Sequence, residues 1–283
     1  MVNAILLISC CDQRGITAAV SNFIAVHQGN IEHADQHIDH QKEIFLMRIE
    51  WALKDFSVPK EKIPQEFLSI AKRFAMSWDI YFTDDIPRVA IFVSKPLHCL
   101  YDLLLRQKYT QICCEIPLIV SNHPDARDVA QNFNIPFHEF FIDKENKCDQ
   151  EQKQMELLRK AKIDLVVLAR YQQILTPQFV AEFKNRIINI HHSFLPAFVG
   201  ANPYAQAYQK GVKIIGTTSH YVSEKLDEGP IIEQDTVRVS HRDSLQDLIL
   251  KGEDLERMVL SRALRWHLAR KILCYGNKTV IFD

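Results

Sequence analysis

The sequence is poor in glycine, with 8 glycines among 283 residues, whereas glycine makes up about 7% of an average soluble protein. None of the eight lies between Gly29 and Gly200. Phosphate-binding loops need glycine because backbone N–H groups must approach the anion closely, so neither G-x-x-x-x-G-K-[ST] nor G-x-G-x-x-G can occur in that stretch. The six glycines from Gly200 to Gly276 form neither motif. The common nucleotide-binding loops are therefore excluded.

The sequence also lacks a long apolar run and an excess of charge of one sign. No segment approaches the roughly 18 uncharged apolar residues that a membrane-spanning helix requires. The 34 basic and 35 acidic residues give a net charge of −1, so no overall field attracts nucleic acid or an anionic membrane. We expect neither nucleic acid nor a membrane as a partner.

Paired cysteine motifs are absent as well. The 7 cysteines are odd in number, and none are spaced C-x-x-C as in zinc or redox sites. The opening residues MVNAILLISCC have neither the basic start nor the length of a signal peptide. The pattern predicts free thiols in a cytoplasmic protein without a metal site.

The first part of the chain, residues 1–83, predicts a small α+β domain. Apolar residues alternate at strand spacing or recur at helix spacing between polar turns. The predicted elements are strands at 4–10, 31–39, 43–51 and 78–82, and helices at 16–24 and 63–74. The order β-α-β-β-α-β predicts a ferredoxin-like, four-stranded antiparallel sheet with two helices on one side.

A polar linker at 83–87 precedes a second predicted domain at residues 88–283, in which strands and helices alternate. Such alternation predicts a Rossmann-like, doubly wound sheet that is mostly parallel. The predicted strands are 89–94, 116–120, 136–141, 165–169 and 186–190, with helices at 125–133 and 152–161, a later antiparallel pair at 213–222 and 230–239, and a helix at 254–273.

Three side chains suited to acyl chemistry cluster near predicted strand ends. Asn189 and His191 stand at the carboxyl end of a predicted strand, and Asp227 lies in a tight turn before another strand. Ligands of parallel sheets bind beyond the carboxyl ends of the strands. A histidine moves protons near neutral pH, and an amide can donate to a developing oxyanion. From the residues alone two interpretations stay open: an acyl-transfer or hydrolytic site, or ordinary loop and helix-cap residues.

The motifs around these residues decide between the two interpretations. Asn189-x-His191-x-Ser-Phe-Leu-Pro, then Gly216-Thr-Thr-Ser-His-Tyr-Val and Leu226-Asp-Glu-Gly-Pro, resemble the signatures of the folate-dependent formyltransferase family. Leu168-Ala-Arg-Tyr-Gln-Gln-Ile-Leu is similar to that family's folate-pocket segment. The resemblance spans about residues 88–283. It implies a formyltransferase-like catalytic domain.

The N-terminal domain resembles an ACT domain, an amino-acid-sensing module, through Asp12-Gln-Arg-Gly-Ile and its element order. An ACT domain joined to a formyltransferase-like domain resembles the formyltetrahydrofolate deformylases. This resemblance implies an enzyme that hydrolyses the C–N bond of 10-formyltetrahydrofolate, giving formate for purine synthesis and tetrahydrofolate. It implies no cofactor beyond this substrate, a glycine or methionine effector, and a homo-oligomer.

The resemblance also implies roles for individual residues. The catalytic residues would be Asn189, which binds the formyl oxygen, His191, which transfers protons, and Asp227, which orients the imidazole or the water. The remaining assignments are substrate binding by Gln173, Ile174, Leu175, His220 and Gly229, and effector binding by Asp12, Gly15 and Ile16.

Two other functions remain as alternatives. A glycinamide ribonucleotide formyltransferase needs a glycine-rich loop after its first strand for the acceptor's phosphate, and here Ser94-Lys-Pro stands in that place. Proline also removes a backbone donor, which favours water as the acceptor. A non-catalytic, amino-acid-responsive folate-binding protein is the second alternative, although the complete Asn-His-Asp set favours an enzyme.

Several other polar residues near these motifs have simpler interpretations. His33, His37 and His40, with two nearby aspartates, are interpreted as a polar hairpin and not as a metal site. His192 is expected to support the site, and Ser193 to cap a helix.

Overall fold

The computed structural model describes residues 2–197 and 202–282, so Gly200 lies outside the described residues. The chain forms two compact units. One unit contains residues 2–86, 269–275 and 280–282, and the other contains residues 87–268 and 276–279.

The first unit has the predicted β-α-β-β-α-β order. Its elements are β1 (Asn3–Cys11), α1 (Ile16–Val26), β2 (Asn30–Asp39), β3 (Ile44–Ala52), α2 (Ile63–Arg73) and β4 (Ser77–Phe82), with a short 3-10 helix at Lys60–Lys62. The strands form one sheet in the order β2-β3-β1-β4, and each neighbouring pair is antiparallel. The predicted antiparallel sheet is confirmed, and it fits an ACT-like domain.

The central strand β1 is buried on both faces. Leu6 and Ile8 point into a core that includes Val20 of α1 and Phe67 of α2, so both helices cover the same face. Side chains alternate across a strand, and Leu7 therefore enters a second core on the opposite face. A sheet with two buried faces needs a cover for each of them.

The second face is covered by the C-terminal end of the chain. Strands β12 (Ile272–Tyr275) and β13 (Lys278–Ile281), preceded by α8 (Leu245–Leu268), form a two-stranded sheet. Leu273 and Phe282 pack with Leu7 in the second core. The prediction placed everything from residue 88 to residue 283 in the second domain, whereas these residues group with the first unit.

The predicted helix at 254–273 was wrong at both ends. The helix begins at Leu245 and ends at Leu268, and Arg270 has a φ of 54°, a left-handed conformation that interrupts a helix. Ile272 follows Leu268 at helix spacing, so apolar periodicity alone does not show where the helix stops.

The second unit contains a seven-stranded sheet. Its strands are β5 (Arg88–Val93), β6 (Glu115–Ser121), β7 (Phe137–Glu139), β8 (Leu165–Leu168), β9 (Ile187–His191), β10 (Ile214–Tyr221) and β11 (Ile231–Arg238). The longer helices besides α8 are α3 (His98–Lys108), α5 (Lys147–Lys160) and α7 (Pro203–Lys210); α4 (Arg127–Asn132) and α6 (Pro177–Glu182) are short, as is a 3-10 helix at Pro124–Ala126.

The order of this sheet, β11-β10-β9-β8-β5-β6-β7, locates the ligand-binding edge. Strands β5 to β9 pair in parallel, and β10 is antiparallel to both of its neighbours. The mostly parallel sheet and the later antiparallel pair are both confirmed. From β5 the chain first moves outward to β6 and β7, and then returns to β8 on the other side. The crevice at such a reversal is where open α/β sheets bind ligands.

Within the described residues, no helix is long and apolar enough to span a membrane.

Removing the Leu273 side chain should destabilise the first unit. Leu273 is 8% exposed in the second core, and Leu→Ala changes in cores typically cost about 2–5 kcal/mol of unfolding free energy. The measurement is urea unfolding of Leu273→Ala in a Trp266→Phe background, where the remaining tryptophans, Trp51 and Trp78, both report on this unit. Leu250→Ala, at a position 53% exposed on α8, is the control and should change stability by less than about 0.5 kcal/mol. Equal effects of the two substitutions would contradict the packing described here.

Candidate active site

The site forms where β9 pairs with β10. In this antiparallel register Asn189 lies opposite His220, and His191 lies opposite Thr218. Asn189 and His191 are two residues apart on a continuous strand, so their side chains emerge on the same face. The side chains of Asn189 and His220 contact each other, with Asn189 Nδ2 3.2 Å from His220 Nε2.

Hydroxyl groups of β10 hold the backbone of β9 and of the segment that follows it. Thr217 Oγ1 donates to the carbonyl of His191 at 2.6 Å, Ser219 Oγ donates to the carbonyl of Asn189 at 3.1 Å, and Thr218 Oγ1 donates to the carbonyl of Ser193 at 2.9 Å. All three hydroxyl-bearing residues are fully buried. The Thr-Thr-Ser run of the second signature therefore fixes the backbone that carries Asn189 and His191.

His191 and Asp227 form a buried pair. Nδ1 of His191 lies 3.3 Å from Oδ2 of Asp227, and the imidazole is almost fully buried. Because a carboxylate can only accept, Nδ1 carries the proton in this contact. Nε2 of His191 is buried and has no hydrogen-bond partner among the described residues. The ring is thus oriented with one nitrogen left free for proton transfer.

Asp227 remains ionised although it is largely buried. Burial by itself would raise the pKa of this carboxyl, but the contact from His191 outweighs it and holds the pKa well below its ordinary value. Oδ1 of Asp227 is 3.6 Å from Nε2 of His220. Its backbone φ is 56°, a left-handed conformation that aspartate tolerates better than most residues.

The orientation of the Asn189 amide follows from His220. Nδ1 of His220 is 3.0 Å from the carbonyl of Tyr221, so Nδ1 carries a proton, and in the neutral ring Nε2 accepts from the Asn189 NH₂ group. An amide nitrogen has two donors, and the second is available to another acceptor. Asn189 can therefore stabilise negative charge that develops beside His191.

A cavity of about 440 Å³ opens onto this group. Three of the predicted substrate-binding residues line it from the segment after β8: Gln173 is half-buried, Ile174 is 59% exposed, and Leu175 is buried. His220 also lines this cavity, together with the catalytic candidates Asn189, His191 and Asp227. The structure thus brings seven of the eight predicted catalytic and substrate-binding residues to one cavity.

Gly229, the eighth, lies elsewhere. It lines a neighbouring cavity of about 640 Å³ that shares Leu226 and Asp227 with the first. A Cβ atom at Gly229 would lie 1.8 Å from the carbonyl oxygen of Tyr221. Glycine is needed here because the turn passes directly against the backbone of β10. This close approach determines the position of the loop that carries Asp227.

His192 lines the cavity next to His191, and Ser193 does not cap a helix. The His192 ring lies 5.2 Å from that of His191 and 5.9 Å from that of Tyr204. Burial, with a smaller contribution from the charge of Arg170, lowers the pKa of His192 to about 3. Ser193 is buried and its hydroxyl donates to the carbonyl of Ala197 at 2.8 Å, so the cap prediction was wrong because this hydroxyl closes a turn of the loop.

A charged cluster beside the cavity was not predicted from the sequence. Arg170 follows β8 and lines the cavity, and its Nε is 3.4 Å from Oε2 of Glu256. His98 and Tyr204 also contact Glu256. An arginine directly after an apolar parallel strand is a signal that could have identified it, whereas Glu256 reaches the site only through the packing of α8.

The predicted effector-binding residues lie at the turn between β1 and α1. Asp12 and Gly15 are exposed, and Gly15 has a φ of 93°. Ile16 is 1% exposed in the core of the first unit, so it presents almost no surface to a ligand. His33 and His37 lie on the exposed strand β2, and His40 follows it in a turn.

This fold and this site define a protein of the formyl transferase class. The formyl transferase family model matches residues 87–264. A solved glycinamide ribonucleotide transformylase from Symbiobacterium toebii is 28% identical, has a TM-score of 0.67, and covers 72% of this chain and 98% of its own.

Two further relatives match almost the whole chain. A formyltetrahydrofolate deformylase from Synechocystis is 55% identical over 99% of both chains. The crystal structure of a formyltetrahydrofolate deformylase from Pseudomonas syringae has a TM-score of 0.98 at 45% identity and covers 100% of this chain and 95% of its own. The chain belongs to the formyltetrahydrofolate deformylase family.

Acid should destabilise the protein partly through His192. Its folded-state pKa of about 3 lies below the unfolded value of about 6.5, so below pH 6.5 the unfolded state binds the proton and stability falls as pH falls. Between pH 7 and pH 5 this amounts to about 2 kcal/mol of unfolding free energy. Urea unfolding at both pH values should show a smaller loss for His192→Asn than for the parent protein. Replacing the exposed His241 by Asn is the control, and a parent-like loss in His192→Asn would refute the assignment.

Proposed function

We propose that this chain hydrolyses 10-formyltetrahydrofolate to formate and tetrahydrofolate. The single observation that carries the chemistry is the His191–Asp227 pair, which leaves Nε2 of His191 unpartnered among the described residues in a site whose cavity Asn189 also lines. The substrate follows from family membership across the whole chain. Hydrolysis of an N-formyl group requires a water from solvent, one proton acceptor and one oxyanion donor, and His191 and Asn189 would supply the last two.

His191 transfers the protons in the proposed reaction. Nε2 takes a proton from water as the water oxygen bonds to the formyl carbon, and Asp227 stabilises the imidazolium that results. The formyl oxygen becomes an oxyanion that accepts from the free amide hydrogen of Asn189. When the C–N bond breaks, the proton passes from His191 to N10 of the folate. Tetrahydrofolate and formic acid leave, and the formic acid ionises to formate by losing its proton to solvent.

The substrate's pterin ring would lie in the cavity lined by Gln173, Ile174 and Leu175. Backbone groups of this segment and of the Asp227 loop offer paired donors and acceptors within a partly apolar slot, which is the usual composition of a small-molecule site. His220 would position Asn189 within this site and not react itself. We propose that the reaction needs no further cofactor because all its steps are proton transfers and charge stabilisation.

The loop after β5 supports water as the acceptor and not the amine of a ribonucleotide. Ser94 in this loop is fully buried. Its hydroxyl donates to Asn122 Oδ1 at 2.6 Å and accepts from the backbone N–H of Gln172 at 2.9 Å. These hydrogen bonds connect the loop after β5 to the segments after β6 and β8. Pro96 removes one more backbone donor that a phosphate could have used. This favours the hydrolase over the transferase alternative.

Incubation with 10-formyltetrahydrofolate and no amine acceptor should release formate and tetrahydrofolate in equal amounts.

Asn189→Ala should lower kcat by about 10²–10³ because one oxyanion donor is lost, and His191→Ala should lose most turnover while still binding the folate. Formate is measured enzymatically and folate binding by fluorescence titration. His123→Ala, outside the cavity, is the control. If the parent protein releases no formate, the proposed function is wrong. Unchanged turnover in His191→Ala would refute the proton-transfer role of His191.

We also propose that the ACT-like unit binds glycine or methionine and that the chain forms a homo-oligomer. The turn at Asp12 and Gly15 is exposed, and β2 is an edge strand available for pairing with another copy. The free cysteines, several of them buried, fit a reducing cytoplasm. Formate released there would supply one-carbon units for purine synthesis.

Calorimetric titration should detect one of these two amino acids binding to the first unit. Asp12→Ala should weaken binding about ten-fold or more, because a carboxylate at the turn would pair with the ligand's ammonium group. Glu66→Ala, an exposed acidic position on α2, should bind as the parent does. Absence of heat with both glycine and methionine would contradict the effector proposal.

A further inference from the structure

Arg170 occupies the ligand-binding edge of the second unit. It lies just past the carboxyl end of β8, and its carbonyl accepts from the N–H of Ser94, which follows β5. Strands β8 and β5 are the neighbours between which the chain reverses direction across the sheet. Ligands of open α/β sheets bind in this crevice. Arg170 also lines the cavity that contains Asn189, His191 and Asp227.

The Arg170 guanidinium is largely buried but incompletely satisfied. Its side chain is 14% exposed, and Nε is buried without a hydrogen-bond partner among the described residues. The terminal nitrogens likewise donate to none of the described residues, so the interaction with Glu256 at 3.4 Å is an ion pair without hydrogen-bond geometry. Buried polar groups almost always have partners, and a charged donor left without one calls for an explanation.

The backbone supports the same interpretation. Arg170 has a φ of 64°, and left-handed conformations are uncommon for arginine and cost free energy. Strained residues persist where the surrounding structure holds them, and they concentrate at binding sites. Here the strain places a guanidinium at the edge of the cavity.

Glu256 balances the charge of Arg170 without using its donors. The carboxylate is 1% exposed. It accepts from Tyr204 Oη at 2.7 Å and lies 2.7 Å from His98 Nε2, so its oxygens are already engaged. Gly252 makes the Tyr204 contact possible, because a Cβ there would lie 2.1 Å from the tyrosine oxygen. His98, Cys99 and Glu256 are close enough to hold a metal ion, but the adjacent guanidinium disfavours a cation.

We infer that Arg170 binds a carboxylate in the catalytic cavity, and that this carboxylate is the formate product. The inference rests on the proposed function, which generates formate beside His191. A guanidinium matches the two oxygens of a carboxylate through parallel N–H donors. The glutamate of the folate is a second source of the same chemistry. Arg170 is largely buried and lines the same cavity as the reacting groups, which favours the product.

Product inhibition provides the test. Initial rates of tetrahydrofolate release are measured at increasing formate, with formamide as the uncharged analogue. Arg170→Gln should raise the inhibition constant of formate at least ten-fold and leave inhibition by formamide unchanged. Arg170→Gln leaves Glu256 without its counter-charge. A double variant, Arg170→Gln with Glu256→Gln, is therefore measured as well, because it removes both charges. Arg170→Lys keeps the positive charge but lacks the planar guanidinium fork. All three should lose formate inhibition. Arg159→Gln, at an arginine 56% exposed, is the matched control and should behave as the parent does.

The sources of the carboxylate are separated with 10-formyltetrahydropteroate, which lacks the glutamate. If Arg170→Gln keeps its formate inhibition but raises KM ten-fold only for the glutamate-bearing substrate, the carboxylate that binds Arg170 is the folate's own. Parent-like formate inhibition and parent-like KM for both substrates would overturn the inference. Absence of deformylation by the parent protein is a different result, because it removes the proposed function itself.

Discussion

The antiparallel pairing of β9 with β10 is the constraint on which the candidate site depends. It sets Asn189 opposite His220 and lets the hydroxyls of β10 hold the backbone of β9. The chain then turns at Gly229, pressed against the carbonyl of Tyr221, and this turn places Asp227 beside His191. A register shift by one residue would move the whole set of side chains to the other face of the sheet. The geometry of the proton-transfer group is therefore a property of strand pairing.

In the second unit, charged and titratable groups whose burial costs free energy lie next to this strand pairing. Asp227, Glu256 and Arg170 are charged and largely removed from water, and His192 is held in a setting that disfavours its protonated form. Buried ion pairs often contribute little net stability compared with apolar packing of similar volume. Their retention around one cavity fits a site in which stability is given up for polar chemistry.

Much of the fold follows from local pattern, and the exceptions have physical causes. Alternating apolar residues predicted the strands of the ACT-like unit, and apolar runs separated by helices predicted the parallel sheet. The end of α8 was missed because Ile272 continues the helical spacing of Leu268, and a single left-handed residue, Arg270, breaks the helix. The C-terminal cover of the first sheet was missed because Leu7 and Leu273 are separated by almost the whole chain. No window of sequence contains both residues.

The sequence by itself determined the class of chemistry and the family, because the Asn-x-His and Leu-Asp-Glu-Gly-Pro motifs carry the reacting groups at fixed local spacing. It also determined that the loop after β5 lacks the glycines of a phosphate site. Only the tertiary structure decided that Asp227 contacts His191 and that Gly229 serves the neighbouring cavity. It alone showed that Arg170 and Glu256, which are remote in sequence, meet beside the reacting groups. The physical reason is that motif spacing records what one strand or turn requires, whereas the partners of a buried charge are chosen by packing across the whole unit.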